Sequence, residues 1–489
     1  MKKLFVITAI TLANIAGFAQ VPLNIVWGKT ISVSKSTPSM QVVVNAKLRR
    51  GSNMHASIFK SIKDLGAEYV RFAPWYPYPK LAVAELEPPD GNKTSWDFSL
   101  IDPIVLDYME ASKGHKSILN FPTIPQWMFI TPKRVPYPAD PNTVDFSYGG
   151  GNLLRDTTLK EVSDYFARIV SWYSKGGFTD EAGKYHKSGH YFKIPYWEVL
   201  NEPELEHNLT PEQYTKIYDA VVLAIRKVSP ETKFIGMASC VYGDPKFYEY
   251  FLNPKNHKPG VPIDMISYHF YAGGNAIQTL TDYQSTYYDK SEHFVTSVKF
   301  IENIRKRLNP NVGVATNELG TFLTDEMRTK PIPDHYWNLS SAVFAYLFIQ
   351  LNKIGIDIIN ESQLVGYPTQ FPDVSMMNWE NAKPNARYWT LKLLVDNFGP
   401  GDKLVEVNPF IMAETDYAAQ GFITPKGKKV LILNKRGKPI SVKVPANFKG
   451  AAISTVDEAS AEGPALTGIV NGDTLEMKAN AVSVITIPN

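Results

Sequence analysis

The chain has 489 residues and a single cysteine, Cys240. An intrachain disulfide is therefore impossible, and whatever holds the fold together is core packing and hydrogen bonding. As a nucleophile Cys240 is a weak candidate, because a lone cysteine is more commonly a small packing residue. Charge of one sign is also scarce. Lys and Arg number 51 against 48 Asp and Glu, a formal +3, so there is no basic field for nucleic acid and no acidic tail. Beyond the N-terminus no charge-free stretch reaches the length of a membrane span. His55, His207 and His269 lack metal-site spacing. No His-Glu-x-x-His, EF-hand or paired-cysteine pattern occurs, and Gly149-Gly150-Gly151 is not followed by the Lys-Ser/Thr of a phosphate loop. A Gly-x-Ser-x-Gly elbow for a serine nucleophile is missing as well. The expectation is a chain without metal or cofactor.

What is present is a large apolar and aromatic content, 44% hydrophobic and 12% aromatic, ample for a core and too much chain for one compact unit. Residues 1–19 have the order of a secretory signal: Lys2 and Lys3, then the apolar Leu4 to Ala16, then Gly17-Phe18-Ala19 before Gln20. The mature protein is expected in a periplasm or the medium. Residues 20–37 read as an edge strand of a β unit. Strand and helix patterns then alternate from 38 to 400. Buried strands are expected at Gln41–Asn45, Glu68–Phe72, Lys116–Phe121, Ile194–Leu200, Phe234–Met237, Asp264–Tyr271, Val312–Glu318 and Ile354–Asn360. A helix over His55–Leu65 stops at Gly66, and Thr210-Pro211-Glu212-Gln213 is a helix start. Eight strand–helix pairs imply a closed (β/α)₈ barrel. From 401 to 489 helix patterning gives way to short alternating strands with turns such as Asn471-Gly472-Asp473, an accessory antiparallel β-sandwich completed by residues 20–37.

On such a barrel the C-terminal strand ends share one cavity. The fourth strand ends at Asn201-Glu202-Pro203, where Pro203 removes a backbone donor and halts the strand. The seventh ends at Thr316-Asn317-Glu318, and period two puts Val312, Val314, Thr316 and Glu318 on one face. A carboxyl pair suits glycosidic bond cleavage, one protonated to donate to the departing oxygen and one ionised to attack the anomeric carbon. Arg71 is a candidate cation to keep Glu318 ionised, with an ordinary salt bridge as its plain alternative. Asn201 can donate to a sugar hydroxyl beside the reacting carbon. Neighbours in a regular strand face opposite ways, so Asn201 and Glu202 both reach the cavity only if the strand end is irregular. Trp75, Trp127 and Trp379 lie on βα loops and serve either as sugar platforms or as loop packing.

Asn-Glu-Pro ending strand four and Glu ending strand seven of a (β/α)₈ barrel resemble the retaining glycoside hydrolases of clan A. Together with Tyr69-Val-Arg-Phe-Ala-Pro-Trp75, Trp96-Asp-Phe98, Ser267-Tyr-His-Phe-Tyr271 and Asn385-Ala-Arg-Tyr-Trp389, the layout is most similar to glycoside hydrolase family 39, the family of β-xylosidases and α-iduronidases. The resemblance implies a carbohydrate substrate, Glu202 as acid/base, Glu318 as nucleophile, Asn201 and Arg71 in support, and His269 and Tyr271 near the nucleophile. One departure stands out. Many clan members floor the sugar site with a Trp ending strand eight, where this chain has Ile359-Asn-Glu-Ser-Gln-Leu364. Glu361 and Gln363 reach the cavity instead, or Trp379 takes the stacking role; Glu361 is also a rival nucleophile. Two further readings share these residues: a sugar-binding barrel that has lost catalysis, and a transglycosylase.

Overall fold

Strands alternate their side chains between two faces, and here one face lines a barrel while the other meets helices. A computed structural model describes residues 22–274, 280–324, 331–366, 371–407 and 415–487; the segment read as a signal, 1–19, lies outside the described residues. Eight parallel strands close on themselves: β1 (Thr37–Val43), β2 (Tyr69–Ala73), β3 (Lys116–Leu119), β4 (Tyr196–Glu198), β5 (Lys233–Ser239), β6 (Met265–Gly273), β7 (Gly313–Phe322) and β8 (Ile358–Glu361). Closure comes from β8 pairing with β1, Ile358 opposite Thr37. The (β/α)₈ fold expected from the alternation is what forms. Its elements are shifted by a few residues, most visibly β1, which starts four residues earlier than its apolar run.

Local signals account for the helix ends. Gly66 caps the helix His55–Leu65 with φ 66°, a conformation that costs an L side chain energy. Thr210 and Gln213 form a reciprocal capping box at the start of the helix Pro211–Val228. Among the described residues no helix is long and apolar enough to cross a membrane.

The barrel interior is graded along its axis. At the N-terminal end Ile118, Ile235, Met265, Ala315 and Ile358 pack with Tyr69 and Tyr196 as an apolar plug. Toward the C-terminal end the inward positions become Arg71, Glu198, Ser267 and Asn317, all buried. The outward residues, among them Phe72, Trp197, Phe234, Tyr268 and Val314, join the core shared with the helices.

That sorting corrects one expectation. Val314 faces the helices and Ala315 faces the barrel, so strict alternation would send Glu318 outward. A register shift against β6 between Thr316 and Glu318 inserts an extra residue, Asn317, and resets the phase. The bulge, not the period, turns Glu318 into the barrel.

The accessory unit is a seven-stranded antiparallel sheet in the order Ile25–Val33, Lys403–Val407, Tyr417–Thr424, Gly427–Asn434, Val482–Ile487, Ala452–Val456 and Leu466–Ile469, with a ribbon of Ile440–Lys443 and Thr474–Met477. One face of the sheet, with Val405, Val430, Ile432 and Ile485, packs with Val442, Leu475 and Met477 of the ribbon. The other, with Leu404, Phe422, Leu431 and Val484, belongs to the same core as the barrel helices.

Candidate active site

Strand β4 ends at Glu198, and after the Val199 amide donates to the Ile235 carbonyl at 3.1 Å the chain leaves the sheet irregularly. Leu200 (φ 63°) and Glu202 (φ 40°) both adopt left-handed conformations, each costing about 1–3 kcal/mol. The irregularity needed for Asn201 and Glu202 to share the cavity is therefore present. Pro203 has a different part from the one expected: the strand has already ended, and Pro203 opens a short helix, Pro203–Glu206, for which Glu202 is the N-cap. The Glu202 amide is tied across to the Ala238 carbonyl at 2.9 Å, where β5 has its own irregularity, Met237 and Ala238 also having positive φ.

Glu318 is 8% exposed and its oxygens are engaged on both sides. Oε1 accepts from Arg71 Nη1 at 2.7 Å and from Gln41 Nε2 at 2.8 Å. Oε2 accepts from the Tyr271 hydroxyl at 2.7 Å and lies 3.5 Å from His269 Nδ1. Burial pushes this carboxyl up, but the His269 and Arg71 charges and the Tyr271 hydrogen bond outweigh it and hold Glu318 below the ordinary carboxylate range. Burial, reinforced by the Glu318 charge, holds the Tyr271 hydroxyl well above its usual value, so it remains a donor.

Glu202 is half-buried, and its Oε1 lies 2.7 Å from His269 Nδ1. Burial works against a charged imidazole, yet Glu318 and the hydrogen bond and charge of Glu202 prevail, and His269 stays protonated above its ordinary range. His269 Nδ1 and one oxygen each of Glu202 and Glu318 all lie within 4.8 Å of one another. Among the described residues this is the one His/carboxylate cluster with metal-ligand spacing. Its donors already have other partners: the imidazole N–H stands between the two carboxylates, and Arg71, Gln41 and Tyr271 take up Glu318. That donor set fits a proton-sharing site better than a cation site.

Arg71, wholly buried, is the hub. Nε donates to Glu198 Oε2 at 2.6 Å, Nη1 to Glu318, and Nη2 to Asn201 Oδ1 at 2.8 Å. Glu198, also wholly buried, accepts in addition from Asn120 at 2.8 Å, Ser267 at 2.6 Å and Asn317 at 2.5 Å. The bulge residue of β7 thus helps seat the floor of the site.

A cavity of about 270 Å³ opens above these groups, lined by Gln41, Trp75, Asn201, Glu202, Tyr271 and Glu318 with Gln363, Phe322 and Phe371 among others. Of the residues singled out in the sequence, Arg71 and His269 lie directly beneath, bonded to its lining. Three are elsewhere. Trp127 donates its indole N–H to the Glu85 carbonyl at 2.8 Å and is covered by Arg155. Trp379 packs at the edge of the main core. Glu361 is not in the lining either: its Oε1 pairs with Arg387 Nε at 3.0 Å, and Arg387 also donates to the Ser362 and Val374 carbonyls. Burial, opposed by Arg387, pushes Glu361 up to about 8. A carboxyl walled off and largely protonated at neutral pH is a poor nucleophile, so the rival assignment of Glu361 is set aside. On the aromatic wall Trp75 stacks with Phe371, centroids 6.1 Å apart at 25°.

Sequence reasoning passed over Gln41, Glu198, Glu206 and Phe371. Gln41 and Glu198 did leave a signal, a polar residue inside an otherwise apolar strand, which is rare unless the group is paired. Glu206 left none, because its inward direction depends on the short turn after Glu202.

Residues 183–338, which contain both glutamates, match the family model for glycosyl hydrolases family 39. A β-xylosidase of Caldicellulosiruptor saccharolyticus is 25% identical over 265 residues, 53% of this chain and 45% of the relative; the match thus spans about half the length of that curated relative. Among solved structures, the GH51 α-L-arabinofuranosidase of Thermotoga petrophila RKU-1 superposes with a TM-score of 0.61 at 16% identity, covering 96% of this chain and 100% of the other. A conserved exported protein of Bacteroides fragilis gives 0.63 at 11% identity, covering 95% and 100%. The structural likenesses concern the fold. The sequence likeness is to glycosyl hydrolases family 39, over residues 183–338.

Proposed function

We propose that this chain hydrolyses O-glycosidic bonds by a two-step retaining mechanism. The observation that carries the proposal is the approach of the two carboxyl groups, with oxygens of Glu202 and Glu318 within 4.8 Å. Retaining enzymes hold their carboxyls about 5–5.5 Å apart, and inverting enzymes about 6.5–9.5 Å to admit a water. Glu318, kept ionised, attacks the anomeric carbon, and the bond to the leaving oxygen breaks as Glu202 gives that oxygen its proton. Glu202, now a carboxylate, takes a proton from water as the water oxygen bonds to the anomeric carbon and Glu318 is released. Asn201 donates to the hydroxyl on the neighbouring carbon. The β-xylosidase likeness makes xylosides the first substrates to try. Residues 1–19 direct export, and a secreted chain beginning at Gln20 is the expected product; recovery of the chain with Met1 intact would count against export. The deciding experiment follows an aryl glycoside by proton NMR. The first-formed sugar should have the anomeric configuration of the substrate, and an inverted first product overturns the mechanism.

A further inference from the structure

Glu206 stands one turn beyond Glu202 on the short helix, its amide donating to the Glu202 carbonyl at 2.7 Å. Its neighbour Leu205 is 67% exposed, whereas the Glu206 side chain turns inward. Its Oε1 accepts from two groups, the Trp75 indole N–H at 2.8 Å and the Asn201 amide Nδ2 at 2.8 Å. Asn201 and Trp75 line the cavity; Glu206 does not appear in the lining and stands behind them.

We propose that Glu206 is a positioning residue that fixes the Asn201 amide and the Trp75 indole in a single orientation toward the substrate. The proposal rests on the glycosidase reading and extends it by one residue. Arg71 holds the oxygen of the Asn201 side chain and Glu206 its nitrogen. A flipped amide would set N–H against guanidinium and C=O against carboxyl, so the pair of anchors permits one orientation. The second N–H of that amide is left to serve a sugar hydroxyl. The Trp75 ring is pinned by its only polar atom and completes a wall with Phe371. A continuous set of hydrogen bonds then runs from Glu318 through Arg71, Asn201 and Glu206 to Trp75, joining the nucleophile to the aromatic wall. Burial holds the Glu206 proton well above the ordinary range against the bonds from Asn201 and Trp75. A neutral amide is therefore a close replacement.

The test compares Glu206→Gln and Glu206→Leu in the full chain, on an aryl glycoside and on its 2-deoxy analogue. Glu206→Gln should keep kcat/KM within about threefold, and Glu206→Leu should lower it about 10- to 100-fold on the hydroxylated substrate. On the 2-deoxy substrate, where Asn201 has nothing to grip and only the Trp75 share remains, the loss in the Leu variant should be at least about threefold smaller than on the hydroxylated one. Equal losses on both substrates, a Gln variant as impaired as the Leu variant, or an unimpaired Leu variant each overturn the proposal. Glu206→Asp, one methylene short, replaces Leu if that variant does not fold. If the unaltered chain turns over no glycoside, it is the glycosidase reading that fails. Crystals of the two variants then decide the positioning role: it requires the Asn201 amide to turn or lose order in Glu206→Leu only, and an unmoved amide overturns it.

Discussion

Arg71 shows how much of this site depends on a single side chain. A guanidinium offers three directions in one plane, and here they serve Glu198, Glu318 and Asn201. Lysine is a point charge and cannot satisfy that fork. Replacement by Met would leave two buried carboxylates without their cation, a situation that typically costs about 3–5 kcal/mol. Urea unfolding of Arg71→Met should show that loss, and Arg71→Lys should lose activity even where it folds. Glu318→Ala, which removes the proposed nucleophile, is expected to lower kcat on an aryl glycoside by at least about 10⁴-fold; a variant retaining full turnover would remove Glu318 from that role. Stability should also depend on pH through His269. Its folded value is raised above the unfolded one, which is about 6.5. Its contribution is then complete below about pH 6.5 and lost as pH rises through the folded value. Glu318 acts at the other end, since its depressed value makes a contribution present above about pH 4.5 and lost on acidification. Urea midpoints of the unaltered chain and His269→Asn should converge as pH is raised; a difference that widens would reverse this assignment.

At the scale of elements, β7 determines where Glu318 points. After its bulge the strand runs on to Gly320, where an added Cβ would come within 3.0 Å of the Tyr271 ring and 3.4 Å of Arg387 Nη2. Tyr271 is the residue whose hydroxyl holds Glu318 Oε2. Gly320→Ala should therefore shift that ring by a few tenths of an ångström and lower kcat about 3- to 10-fold, with a nearly unchanged unfolding midpoint. Steady-state kinetics beside a denaturation curve checks both halves. The strand itself, like the alternation of the whole barrel, was readable from apolar runs and caps such as Gly66 and Thr210. So were the two glutamates themselves, since Asn-Glu-Pro and Thr-Asn-Glu are local in the chain, although β7 runs past Glu318 to Phe322 where the sequence reading ended it at the glutamate. The bulge at Asn317 was not, because a period-two reading assumes regular pairing and the extra residue is defined by its partner strand. The same limit separates Trp75 from Trp127 and Trp379. All three are aromatic residues on βα loops, and only packing distant in sequence decides which ring faces the cavity.

At the scale of the molecule, the accessory sheet is fastened to both ends of the barrel. Strand Ile25–Val33 enters just before β1 and pairs with Lys403–Val407, which follows the last barrel helix, Ala386–Asn397. Ser34 and Asp402 close the junction, the Ser34 amide donating to the Asp402 carbonyl at 2.8 Å. Across the seam Phe422 of the sheet lies 4.4 Å from Phe398, ring centre to ring centre, and both rings belong to the apolar core that surrounds the barrel. A seam continuous with the core cannot open without exposing helix faces to water, so barrel and sheet should unfold together. Phe422→Ala then destabilises the entire protein and not the sheet alone, by about 3–5 kcal/mol for a fully buried ring. Tryptophan emission reports chiefly on the barrel and the proposed turnover of an aryl glycoside on its C-terminal face, while limited proteolysis within 415–487 reports on the sheet. In urea the three should change at one midpoint, lower in the variant than in the unaltered chain. A variant whose sheet is cleaved at concentrations where activity persists would show two separable units, with the sheet dispensable to the site.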